Sequence, residues 1–128
     1  MERAVLVFAV VHLLTIGLSH LLQPRAWAEF FVQLREKGEP GVFAVAFMSL
    51  YFGSIIVAFH RVWSGIPLVL TLLGIAQVAK GALYFCFPRY GLKQLQRVSV
   101  ERAWEFQVAS VVLFALAGLF LFELLRAG

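Results

Sequence analysis

Four uncharged apolar runs decide most of what this chain can become. They are 19 residues from Ala4 to Leu22, 19 from Gly41 to Phe59, 22 from Ile66 to Phe87 broken only by Lys80, and 17 from Phe106 to Phe122. A hydrocarbon core about 30 Å thick is crossed by about 20 helical residues rising 1.5 Å each, so every run can span a bilayer, the last with help from its flanks. Predicted spans therefore cover residues 4–22, 41–60, 66–87 and 104–123. Hydrophobic types make up 62% of the 128 residues and the mean hydropathy is +0.88, more apolar surface than a water-soluble domain of this size can bury. Spanning strands would alternate polar and apolar side chains, which these runs do not do. The expected fold is all-α: a single transmembrane domain over residues 1–128 forming an integral membrane four-helix bundle. It reads as two helical hairpins, each with an interfacial amphipathic helix.

Other classes fall away by inventory. Cys86 is the one cysteine, which excludes an internal disulfide framework and a thiolate zinc site. The chain has no Asp and no Asn, which removes EF-hand loops, N-glycosylation acceptors and the Asp form of a catalytic triad. A net charge of +4 in so apolar a chain points to anionic lipid headgroups rather than nucleic acid. The first span is longer than a signal-peptide core and is preceded by Arg3 as its only positive charge, so it reads as a mature helix.

Seven basic residues (Arg25, Arg35, Lys37, Arg89, Lys93, Arg97, Arg102) fall in the two long loops, against Arg3, Arg61 and Arg126 on the opposite side. The positive-inside rule then predicts cytoplasmic long loops and both termini outside. Within the first loop, Trp27, Phe30, Phe31 and Leu34 recur at helical spacing, predicting an amphipathic helix in the interface plane. Leu92, Leu95 and Val98 repeat the pattern more weakly in the second. His60 to Gly65 reads as a tight turn. An offset of 64 residues superposes Gly17 on Gly81, Pro24 on Pro88 and Arg25 on Arg89, which suggests parallel half-repeats over 1–64 and 65–128.

Ionisable residues at depth are functional candidates. Lys80 lies seven residues before Phe87, about 10 Å from the end of its span at 1.5 Å per residue. Gln77, Lys80, Gly81 and Tyr84 share one helical face, expected to point into the bundle. Glu105 and His20 enter at a similar depth. Two outcomes are open for Lys80: an ion pair with Glu105, or snorkelling to the nearer headgroups. His12, Thr15 and Ser19 form a polar stripe on the first span, expected to face neighbouring helices. His12 and His60 are candidate haem ligands or proton-relay groups, although a haem held by two histidines of one chain is geometrically poor. As the simpler reading, His60 is an interfacial anchor, Glu123 and Arg126 form a surface pair, and Cys86 is a small apolar filler. Ser49 and Gly53 make a small-xxx-small step for close helix packing.

The stretch His60-x-x-Trp63, Pro67, Leu70-Thr71, Gly74, Lys80-Gly81, Leu83 and Pro88 resembles a pattern in small four-helix bacterial integral membrane proteins, a family to which no activity is attached. It covers about a quarter of the chain and implies a bacterial membrane location. The leading expectation is an oligomeric transporter or channel. Lys80, Tyr84, Glu105, His20 and Gln77 would line a cytoplasm-facing pocket for an anion, a proton or an acidic headgroup, without cofactor or metal. The alternatives are an electron-transfer subunit binding haem b or quinone, and a non-catalytic assembly subunit of a larger membrane complex. No enzyme is expected, because the sequence pairs no nucleophile with a base and has no phosphate loop.

Overall fold

The computed structural model describes residues 2–127, the side chain of Ala127 excepted. Met1 and Gly128, the ends of the expected topology and of the half-repeats, lie outside the described residues. Six α-helices follow in order: α1 Glu2–Leu22, α2 Pro24–Glu36, α3 Glu39–Phe59, α4 Pro67–Cys86, α5 Pro88–Leu95 and α6 Trp104–Ala127, the last preceded by a 3-10 turn Val100–Arg102. Helices α1, α3, α4 and α6 are long and apolar enough to cross a membrane. The expected spans are present with shifted ends: α3 begins at Glu39 and stops at Phe59, and α6 continues beyond residue 123. No strand occurs among the described residues.

Proline sets the punctuation. Pro24, Pro40, Pro67 and Pro88 each stand in the first turn of a helix, where a missing N–H costs no intrahelical bond. The residue before a proline is pushed out of the α region, which ends the preceding helix. Gln23, at φ −130° and ψ 52°, and Phe87, at −132° and 68°, are the two such residues at the ends of α1 and α4. Their backbone bonds correspond as well: Gln23 N–H donates to the Ser19 carbonyl and Trp27 N–H to that of Gln23, while Phe87 N–H donates to Leu83 and Gly91 N–H to Phe87. Gly38 turns the chain from α2 into α3 at φ +73°, a left-handed conformation that favours glycine.

Packing divides the bundle into two tight pairs, α3 with α4 and α1 with α6, which touch each other only sparsely. Glycine explains the first pair. A Cβ on Gly53 would lie 2.7 Å from the Gly74 carbonyl and the Val78 nitrogen, and one on Gly81 would lie 2.9 Å from the Ala46 carbonyl. Backbone thus meets backbone, the means by which helices gain contact where lipid is as apolar as leucine. At the short-turn end, an apolar core of Val5, Leu6, Ala9, Leu13, Phe52, Ile56, Leu70, Ala117 and Phe120 draws all four long helices together. At the long-loop end a second core, Leu34, Val42, Val45, Ala46, Tyr84 and Leu95, joins α3 and α4 to α2 and α5 but leaves out α1 and α6. The pairs consequently part toward that end.

Helix α2 is amphipathic, burying Ala28 and Leu34 and exposing Arg25, Glu29 and Gln33, while Phe30 of the expected apolar stripe is exposed and Trp27 and Phe31 are half-buried. Its Arg35 donates to the carbonyl of Val98 at 2.8 Å, tying the two long loops together. Several expectations are corrected. His60 is not a surface anchor: it is 1% exposed, and its Nε2–H donates to the Pro67 carbonyl at 2.9 Å. Thr71 hydroxyl donates to the Val62 carbonyl at 2.7 Å, so the turn folds over its own polar groups and carries the histidine inside. Glu123 is buried and accepts from Arg126 Nη2 at 2.6 Å, so this pair is no loose surface contact. Thr15 and Cys86 are exposed, because α1 and α4 each give only one face to a partner helix.

Candidate functional site

The gap between the helix pairs is a cavity of about 240 Å³ that receives side chains from α1, α2, α3, α4 and α6. Four of the residues singled out in the sequence meet there: His12, His20, Gln77 and Lys80. Helical geometry explains the two from α4. At 100° per residue, Gln77, Lys80, Gly81 and Tyr84 form one broad face, with Lys80 and Gly81 at opposite edges. The Gly81 edge turns toward α3 and the Lys80 edge turns into the gap. Tyr84, between these two edges, is buried in the long-loop core beside Val42 and Leu95, so it does not line the cavity. Its ring still serves Lys80, whose Nζ stands 5.6 Å from the ring centroid, a cation–π distance.

No ion pair forms between Lys80 and Glu105. Glu105 lies 3.6 Å from Arg102 on the other side of the aromatic wall, where a separate cavity of about 320 Å³ is lined by Ser99, Arg102, Glu105 and Phe106. His20 and Phe31 line both cavities and stand between the two groups. The wall is built of rings: His20 sits 4.3 Å from Trp27 and tilted against it, and Phe31 is stacked on Phe106 at 5.7 Å. Among the described residues Lys80 makes no ion pair, and it is exposed at the cavity mouth.

Each histidine has a distinct setting. His20 donates from Nδ1 to the Ile16 carbonyl at 2.8 Å, which in the neutral ring leaves Nε2 as the acceptor nitrogen. His12 stacks on Phe52 at 4.5 Å between centroids and lines the mid-bilayer end of the same cavity. His60 instead borders a cavity of about 220 Å³ at the short-turn end, with Arg3 and Glu123, and its Nδ1 is buried without a partner. His12 and His60 therefore belong to different cavities. Among the described residues no three His, Cys, Asp or Glu side chains gather as a metal site.

Compared with family models, with curated proteins and with solved structures, the chain matches none. The site is accordingly read from its own chemistry. Two of its members were not legible as such in the sequence. Trp27, expected at the membrane boundary, lines the cavity and donates from Nε1 to the Ser19 hydroxyl at 2.8 Å. Ser49, expected as a packing residue, is buried on the α3 wall. The available signal was the eight-residue step from Ser19 to Trp27 across Pro24, which folds the tryptophan back onto the helix it follows.

Proposed function

We propose that this protein is a small membrane carrier whose ligand binds between the two helix pairs with Lys80 as its charged contact. The observation that supports this most is the placement of Lys80, a cation on a membrane-spanning helix with no carboxylate beside it, at the mouth of a cavity that His20 and Gln77 also line. A lysine held at depth for structure alone would be expected to pair with an acid or be drawn fully to the headgroups. The preferred ligand is an anion, and the positive-inside pattern puts the cavity on the cytoplasmic side.

A carrier fits better than an open channel. The core at the short-turn end closes all four helices over the cavity, so passage needs the pairs to rock against each other or a second copy to complete the path. Exchanging residues 1–64 with 65–128 also exchanges the two tight pairs, and the matching corners at Gln23 and Phe87 favour a parallel half-repeat as the basis of such rocking. Liposomes holding the purified protein test the proposal. Uptake of small anions should exceed that of protein-free vesicles and fall at least tenfold in Lys80→Gln. Equal, negligible flux for chloride, phosphate, small carboxylates and protons in both proteins overturns it.

A further inference from the structure

We infer that the ligand of the central cavity is a single-chain amphiphile with an anionic head, taken sideways from the bilayer. This inference rests on the reading of Lys80 as the ligand's charged contact. The lining is graded along the helices rather than uniformly polar. From Leu73 to Lys80 on α4, and from Leu13 to His20 on α1, the same seven-residue step of about 10 Å changes leucine into a polar group. At the long-loop end the cavity therefore holds the Lys80 amine, the His20 ring and the Trp27 indole. Toward the middle of the helices it is walled mostly by Leu13, Phe52, Leu73 and Leu116, with the polar groups of His12, Ser49 and Gln77 set among them.

One cation continued by an apolar wall complements a head and a chain. A bare inorganic anion exchanges its hydration shell for few donors in such a space, so it should bind there more weakly than an anion that also lays a chain on the apolar wall. Size points the same way. At about 30 Å³ per water-sized group, about 240 Å³ holds roughly eight such groups, enough for a head and the first carbons of a chain. The remainder needs an exit, and there is one. Trp27 and Met48 also line a neighbouring groove of about 330 Å³, bordered by the exposed Gln23, Ala26 and Phe30 on the outside of the bundle. Met48, 42% exposed at the middle of α3, is the point on that border where a chain whose head sits at Lys80 can leave sideways among the lipids.

Trp27 provides the reporter. Trp63 and Trp104 are 64% and 58% exposed, and replacing both with Phe leaves a single tryptophan at the cavity wall. The protein in phosphatidylcholine nanodiscs is titrated with a chain-brominated fatty acid, a chain-brominated lysophosphatidic acid and the matching neutral alcohol. Saturable quenching by either acid, at least tenfold weaker with the alcohol, supports the inference and identifies the head. Lys80→Gln should weaken the quenching at least tenfold and Lys80→Arg should largely retain it. Quenching that rises linearly with added chain, is the same for acid and alcohol, or is unchanged in a folded Lys80→Gln protein overturns it. If Lys80→Gln does not fold, the contrast of acid with alcohol on the parent still decides. Lys80-dependent flux of small anions without saturable quenching would sink the amphiphile and leave the carrier standing. Saturable, acid-selective quenching without flux would do the reverse.

Discussion

The two corners where a proline and an arginine end a spanning helix have the same backbone and opposite consequences. At the α4–α5 corner, residue 91 is glycine, and α5 lies so close that a Cβ there would press into Val42 and lie 3.1 Å from the Tyr84 ring. Tyr84 is buried and the corner is sealed into the long-loop core. At the α1–α2 corner the corresponding position is Trp27, and the position matching Tyr84 is His20. The indole packs against His20 at 4.3 Å between ring centroids while α2 buries Ala28 and Leu34 further along, and both rings become cavity walls. One framework is thus used once as a seal and once as a prop. The difference teaches that exchanging side chains of different size between equivalent corners decides which corner is sealed and which one lines the cavity between the pairs.

Mutations can break this contrast in graded steps, each read as the unfolding midpoint in mild detergent titrated with a denaturing one. The largest effect is expected from Tyr84→Ala, which empties a buried ring position at the sealed corner and should cost about 3 kcal/mol or more. His20→Ala, its counterpart at the propped corner, should cost no more than about 1 kcal/mol, since half-buried rings lose less apolar area on truncation. Equal costs would refute the distinction. Next comes Gly91→Ala, whose methyl group overpacks the α5 contact and should cost about 2 kcal/mol. The smallest effect sharpens the other side. Trp27→Phe keeps a ring in the wall but removes the N–H that reaches Ser19, for about 1 kcal/mol. Adding Ser19→Ala to it should then change almost nothing, and a full second loss would show that the bond does not hold the corner.

The resemblance pattern of the sequence acquires physical content from the fold. His60, Pro67 and Thr71 form the hydrogen-bonded turn between α3 and α4, Leu70 is fully buried, and Gly74 and Gly81 let those helices meet at backbone distance. Most of those residues therefore build one hairpin. Lys80, like Trp63 and Leu83, is an exposed member that takes no part in those contacts.

Several features were settled by the chain locally. The spans follow from run length and transfer energy, helix starts from four prolines, and α2 from the spacing of its aromatic residues, because each depends on neighbours within a few turns. The partners of those helices were not fixed this way. In a chain apolar on nearly every face, side-chain periodicity cannot mark which stripe meets protein and which meets lipid. Close approach at Gly53 and Gly81 chose α4 as the partner of α3, and that choice left α1 to α6. It also decided that Lys80 would face a gap shared with His20 and not Glu105, which the aromatic wall holds beside Arg102. Four rods in a membrane were written in residue order, whereas the cavity exists only through contacts between helices far apart in the chain, whose geometry no local pattern encodes.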